Sequence, residues 1–296
     1  DADMLLRRAE MALASAKDQR VPVARYEAGL EEANQRRVGI LIELERAIER
    51  DELELHYQPK LDVRTRRVHG VEALVRWEHH RMGRMNPAEF VAVAEQAGSI
   101  DRLSRWVVDA ALAQREAWIR AGVDLEISIN LSAIDLSQGS LAERLAERLR
   151  ESPKGAAGIQ IEVTESAIMT DPERAAESLR RIREIGIGVA IDDFGTGHSS
   201  LAQLRNLPSD ELKIDQTFVR FLREGTVDDV IVRSAIDLAH SLGLGVVAEG
   251  VEDRTTWRLL EARGCDRVQG YWIARPMPAD QLVLWLDRFE KEGLDE

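Results

Sequence analysis

Cysteine is almost absent: a single residue, Cys265, in 296. That excludes an internal disulfide and any cysteine-rich zinc centre, and leaves Cys265 a small core residue. Long apolar runs are missing too. No stretch reaches the ~18 residues of a membrane span, and no secretory signal pattern opens the chain. Basic charge is in deficit, with 40 Lys and Arg against 53 Asp and Glu and a formal net charge of −13. Such a balance argues against a DNA or RNA polymer as partner and suits an acidic pocket that needs cations. Internal repeats and low-complexity tracts are absent as well. The chain begins at Asp1 without an initiator methionine and is expected to be a piece of something longer.

What is present is an alternation. Residues 1–17, DADMLLRRAEMALASAK, carry apolar positions at helical spacing but little for that helix to pack against. Residues 18–37 read as a polar linker into a second helix around 36–50, with Val38, Leu41, Ile42, Leu44 and Ile48 on one stripe. Eight short apolar runs follow, at 53–58, 68–75, 125–130, 159–163, 187–191, 212–214, 244–248 and 267–271. Helix signals lie between them: Asn86-Pro87 with Glu89 as a capping-box acid, Asp171-Pro172 closed by Gly186, Thr226 with Asp229 closed by Gly243, and a stop at Gly264. Strand and helix repeated eight times predict an α/β fold, a (β/α)8 barrel. The first two runs are too close for a helical crossover, so they are expected to pair antiparallel.

In such barrels the chemistry lies at the C-terminal strand ends. Those ends read Glu72, Asn130, Glu162, Asp192 with Asp193, Lys213 with Asp215, Glu249 and Gln269. Each has a structural alternative. Asn130 can cap a helix, Glu162 and Glu249 can each satisfy a buried arginine, Lys213 can be an ion-pair partner, and Asp192 and Asp193 can cap a helix near Ser199. As a set they are harder to dismiss. An unpaired buried carboxylate costs several kcal/mol, and like charges sharing a site raise the cost. Carboxylates and one amide, without histidine or cysteine, are hard ligands that suit Mg2+ or Mn2+. Adjacent aspartates can serve two ions a few ångströms apart, the arrangement used for in-line displacement at phosphorus. In the "FGTG" that follows, Gly195 and Gly197 are expected to allow positive φ and a mobile turn above the site.

The string Glu72-Ala73-Leu74-Val75-Arg76-Trp77 resembles the signature of EAL domains, bacterial phosphodiesterases that open cyclic di-GMP to the linear dinucleotide pGpG. The resemblance runs from about residue 34 to 290 through Tyr57-Gln58-Pro59, Asn130-Leu131-Ser132, Glu162-Val163-Thr164-Glu165-Ser166, DDFGTGHSSL at 192–201, Lys213-Ile214-Asp215, Glu249-Gly250-Val251-Glu252 and Gln269-Gly270-Tyr271. It implies two divalent cations, Mg2+ or Mn2+. Glu72, Asn130, Glu162 and Asp192 would hold the first. Asp192, Asp193 and Glu249 would hold or flank the second, with Asp215 close by. Lys213 would bind or polarise the attacking water, and the general base would be either Glu249 or no side chain at all, two cations being able to make the water acidic enough by themselves. Gln58, Arg76 and Gln269 would contact substrate, and Glu165 would organise the loop. His198 departs from the family, which usually has tyrosine there.

Residues 1–17 resemble the last helix of a GGDEF domain. Residues 1–33 are thus expected to end an upstream domain and its linker, and 34–296 to form the EAL barrel. A cytoplasmic catalytic domain is implied, whether or not the full-length protein is tethered to a membrane, and a homodimer through helices near 199–206 and 225–243. Two other functions compete: a receptor that holds the dinucleotide without hydrolysing it, and a Mg2+-dependent barrel lyase or isomerase.

Overall fold

The computed structural model describes residues 2–18, 22–27, 29–50, 52–137, 139, 141–150, 152, 154–197 and 201–294. His198 and Ser199 lie outside the described residues. Two compact units divide the chain, one of residues 1–53 and 77–99 and the other of 54–76 and 100–296.

Nine strands are present among the described residues. In chain order they are β1 (Leu53–Asp62), β2 (Val68–His79), β3 (Gly83–Met85), β4 (Glu126–Leu131), β5 (Ile159–Thr164), β6 (Gly188–Phe194), β7 (Glu211–Ile214), β8 (Gly245–Ala248) and β9 (Arg267–Val268). All but β3 form a closed ring in the order β1-β9-β8-β7-β6-β5-β4-β2, with β2 paired back to β1. Neighbours from β4 to β9 are parallel, as are β2 and β4, while β1 meets β9 antiparallel through Leu61↔Val268. The expected eight-stranded barrel with one reversed strand is present.

Alternation within each strand explains its two faces. Ile127, Ile129, Ile161 and Val163 are fully buried apolar residues, and the intervening Ser128, Gln160 and Glu162 are buried polar ones. The apolar set builds the core under the helices, and the polar set turns into the barrel, where its side chains bond one another across strands. The interior is therefore polar, unlike the branched apolar filling usual in such barrels.

Helix starts follow local chemistry. Asp171 accepts the Arg174 N–H ahead of Pro172–Glu184, Thr226 accepts that of Asp229 ahead of Val227–Ser241, and Gly186, Gly243 and Gly264 sit at positive φ just beyond helix ends. Cys265 is buried, and burial pushes its thiol up to about 12.

Several boundaries differ from expectation: β1 and β2 run on past 58 and 75 to Asp62 and His79. β9 stops at Val268 because the chain then turns to bond the loop after β8: Gln269 accepts the Val251 N–H and Val251 accepts that of Trp272. Gly270 permits this approach, since a Cβ there would lie 2.1 Å from the Val251 carbonyl oxygen. In the smaller unit the second helix begins at Gly29, not near 36, so part of the expected linker is helical. That unit also holds helices Ala2–Asp18 and Pro87–Gln96, and β3 paired with the end of β2 through Trp77↔Met85. Asn86 caps the latter helix, but the Glu89 carboxylate takes Arg36 as its partner. No helix among the described residues is long and apolar enough to cross a membrane.

Candidate active site

The strand-end residues converge around one buried ammonium. Lys213, fully buried on β7, places Nζ 2.5 Å from Glu162 Oε2, 2.7 Å from Glu249 Oε1, 3.0 Å from Asp192 Oδ2 and 3.6 Å from Glu72 Oε2. An ammonium has three protons, so four carboxylates exceed what it can satisfy. Glu72 is steadied from elsewhere: the Asn130 amide donates to its Oε1 at 2.7 Å and the Gln269 amide to its Oε2 at 2.7 Å. Gln269 also donates to Gln58 Oε1 at 3.0 Å, and Gln58 donates to the Ala274 carbonyl at 3.1 Å.

The paired aspartates reach the same site through a break in the strand. Successive side chains of a strand point to opposite faces, so Asp192 and Asp193 in regular β structure would diverge. The β6–β7 register shifts between Ile191 and Phe194, and Asp193 takes a left-handed φ of 55°. That bulge turns both carboxylates to one side. Asp192, Asp193 and Glu249 each offer an oxygen within 4.8 Å of the others, as do Glu72, Glu162 and Asp192, so Asp192 belongs to both trios. Asp215 belongs to neither. Its Oδ1 caps the next turn, accepting from the Thr217 N–H at 2.9 Å and hydroxyl at 2.5 Å, while its charge bears on Asp193.

Electrostatics record the shortage of positive charge. Burial pushes Glu249 well above the usual carboxylate range against the pull of Lys213, and raises Glu72, with Glu162 and Asp192 adding to it. Burial, then the charges of Asp192 and Asp215, lift Asp193 to about 6. Burial also disfavours ionised Glu162, but Lys213 and Lys60 reverse this and hold it at about 2. Burial alone would lower Lys213, yet its ring of carboxylates holds it well above the usual lysine value. Several acids that resist ionisation around one lysine make a donor set able to take up further cationic charge, and every donor is a hard oxygen.

The loop above the site is tied down from beneath. Glu165, buried after β5, accepts the Gly195 N–H at 3.1 Å. Gly195 has φ 99°, but Gly197 is not in the left-handed region, contrary to expectation. Glycine is needed there for room, because a Cβ would lie 2.7 Å from Glu165 Oε1. Arg76, half-buried, donates to its own Val75 carbonyl at 2.9 Å.

Reading strand ends missed the layer below. Lys60 is fully buried and donates to Ser128 Oγ at 2.7 Å, Gln160 Oε1 at 3.0 Å and Glu162 Oε1 at 2.5 Å. Beneath it Glu211, 3.6 Å away, bonds Arg267. Charge thus alternates up the barrel: Arg267, Glu211, Lys60, Glu162, Lys213 and the acidic mouth. The signal was period two: Ser128, Gln160, Glu211 and Arg267 each precede a strand-end residue by two positions. Lys60 instead follows Gln58 by two, since β1 runs the other way.

A further trio, Glu43 with His79 and His80 in the smaller unit, does not resemble a metal centre. His79 Nδ1 accepts the N–H groups of Arg81 at 3.1 Å and Met82 at 3.2 Å. The ring proton is therefore on Nε2, and the nitrogen near Glu43 has no free lone pair.

Fold and site together define an α/β barrel with a hard-oxygen, cation-accepting mouth. The chain belongs to the EAL domain family, whose pattern it matches over residues 42–276. It is 41% identical over 274 residues to cyclic di-GMP phosphodiesterase PA2567 of Pseudomonas aeruginosa, covering 92% of this chain and 47% of that protein. Against the bifunctional diguanylate cyclase/cyclic di-GMP phosphodiesterase MucR of the same organism it is 38% identical over 281 residues, 94% of this chain and 41% of MucR. A solved structure of the MucR phosphodiesterase in complex with cyclic di-GMP superposes with TM-score 0.79 at 40% identity, over 82% of this chain and 99% of that one. The chain spans less than half the length of these two curated relatives.

Proposed function

We propose that this chain is a metal-dependent phosphodiesterase that hydrolyses cyclic di-GMP to linear pGpG in bacterial second-messenger signalling. The observation that carries the reading is the ammonium of Lys213 among four carboxylates, those of Glu72, Glu162 and Asp192 buried and that of Glu249 partly so, with Asp192 common to both acidic trios. Glu72, Asn130, Glu162 and Asp192 would hold one divalent cation, and Asp192, Asp193 and Glu249 a second, with Asp215 acting on Asp193 by its charge. Mg2+ or Mn2+ fits oxygen donors of this kind, and such a pair, when bound, lowers the pKa of water and neutralises phosphodiester oxygens.

The remaining work falls to side chains. Water adds at phosphorus, the bond to a ribose 3′ oxygen breaks, and that oxygen takes up a proton, leaving a 5′ phosphate at one end. Glu249, which would be ionised once cations occupy the site, is the candidate to accept the proton of the attacking water, and Lys213, 2.7 Å from it, polarises that water. Gln58 and Gln269 meet guanine or ribose edges. Gln269 Oε1 is a buried acceptor without a partner, which suits a ligand N–H. Arg76 meets a phosphate. Glu165 keeps the 195–197 loop seated.

The same reading makes this a cytoplasmic catalytic domain that forms a homodimer and follows an upstream GGDEF or sensory region, whether or not the full-length protein is tethered to a membrane. Exposed Val227 and Val230 on the helix Val227–Ser241, with exposed Phe221 ahead of it in the chain, support the dimer, which light scattering would register. Chromatography of cyclic di-GMP incubated with the purified chain and Mg2+ or Mn2+ tests the activity. Linear product is expected, and its loss in Asp192→Asn. Tight binding without product would favour the receptor reading, which the complete set of acidic residues opposes.

A further inference from the structure

We propose that Lys60 is a positioning residue that clamps one oxygen of Glu162, so that this carboxylate meets its cation through the other oxygen alone, and that this one-oxygen hold biases the site toward small six-coordinate divalent cations. The inference rests on the metal-holding role given above to Glu162.

Lys60 is more constrained than a buried counter-charge has to be. Its three protons have three acceptors on two neighbouring strands: Ser128 Oγ of β4 at 2.7 Å, and Gln160 Oε1 at 3.0 Å and Glu162 Oε1 at 2.5 Å of β5. Every ammonium proton is spoken for, so the group cannot swing. Ser128 also donates to Gln160 Oε1 at 2.8 Å, which fixes two of the three acceptors to each other. Glu211, 3.6 Å away, contributes charge from below. Glu162 is itself fully buried and cannot turn its Oε1 to water. Its Oε2 faces the other way, 2.5 Å from Lys213, whose Nζ is 3.0 Å from Asp192 and 3.6 Å from Glu72. Oε2 is the Glu162 oxygen that shares the Lys213 ammonium with the other two members of that trio.

The consequence concerns which ion fits. Mg2+ demands a near-octahedral set at short distance, with one oxygen from each carboxylate. Ca2+ takes six to eight oxygens and readily uses both from one carboxylate. Lys213 can give up Oε2 because Glu249, Asp192 and Glu72 lie 2.7, 3.0 and 3.6 Å from its Nζ, whereas Lys60 has no second carboxylate within hydrogen-bond reach and keeps Oε1, so the bidentate mode is withheld. An apolar residue in place of Lys60 would fill the space but release that oxygen. Lys60 touches neither substrate nor reacting atoms and acts through Glu162, as outer partners of metal ligands commonly do.

Calorimetric titration of the purified full chain with MgCl2, MnCl2 and CaCl2, without nucleotide, tests this. In Lys60→Met, Mg2+ and Mn2+ affinity should fall about 10-fold, within the usual range for loss of an outer-shell partner. Ca2+ should weaken less, moving the calcium-to-magnesium ratio toward calcium by about threefold or more. Ser128→Ala, which keeps the lysine but removes one of its anchors, should shift the ratio the same way by a smaller factor. Equal weakening of all three ions in Lys60→Met, or no change in any, overturns the clamp. Should Lys60→Met fail to fold by circular dichroism, an unaltered ratio in Ser128→Ala does so. Glu162→Gln separates the two readings. If it binds metal as the wild type does, the ligand assignment fails; if it loses metal while the Lys60→Met ratio stays put, only the clamp fails.

Discussion

Replacing Lys213 by methionine removes the ammonium that contacts Glu162, Glu249, Asp192 and Glu72 together, at 2.5, 2.7, 3.0 and 3.6 Å, and leaves Lys60 on Glu162 alone. Methionine is near lysine in volume, so the change is mostly one of charge. Removing one partner of a buried ion pair typically costs about 3–5 kcal/mol, because the remaining charge is left without compensation. At about 2 °C per kcal/mol for a chain of this size, the variant should melt about 6–10 °C below the wild type in EDTA. Divalent metal should then rescue it by more than it stabilises the wild type, since Lys213 no longer competes for the oxygens. For either protein, metal at 100 times its Kd adds about 2.7 kcal/mol. Lowering the pH should also narrow the gap. Without the lysine the carboxyls take up protons more readily in the folded than in the unfolded chain, so acid favours the fold. Differential scanning fluorimetry in EDTA, with and without added Mg2+, reads all three effects. A variant that melts within about 2 °C of the wild type in EDTA, against the 6–10 °C expected, would show that Lys213 is not what balances the acidic mouth.

The wild type has its own pH signature. Asp193, lifted to about 6 by burial and its aspartate neighbours, has an unfolded value near ~3.9. Its raised folded value contributes stability that is complete below about 4 and is lost as pH rises through about 6. In EDTA the melting temperature should therefore be higher at pH 5 than at 7.5, with a smaller difference in Asp193→Asn; an unaltered slope in that variant refutes the assignment. Glu165→Ala removes the acceptor of the Gly195 N–H and the support beneath Gly197. A hydrogen bond to a charged group is worth about 1.5–3 kcal/mol, so turnover of cyclic di-GMP should fall roughly 10- to 100-fold with metal affinity largely kept. Wild-type kinetics would remove the loop-tether role.

Much of the site was legible because barrel strands present their ends. Glu72, Asn130, Glu162, Asp192, Lys213 and Glu249 could each be read as polar residues closing apolar runs, and all lie around one ammonium or bond a residue that does. The short Leu61 to Val68 connection also carried the reversal of β1. Lys60 and Glu211 were overlooked because a lysine or glutamate inside a short strand has no local mark of burial. Gln160 and Ser128 look like ordinary exposed alternation until the barrel closes.

The amino-acid order alone determined which residues alternate, where strands end and where helices start, since these depend on neighbours a few positions away. Only the folded barrel decided that Lys60 would meet Glu162 across 102 positions, that a bulge would turn Asp193 to the side of Asp192, and that Gly270 would let two loops touch. Those outcomes depend on ring closure and strand register, which bring distant segments within bonding distance and are written in no single stretch of chain.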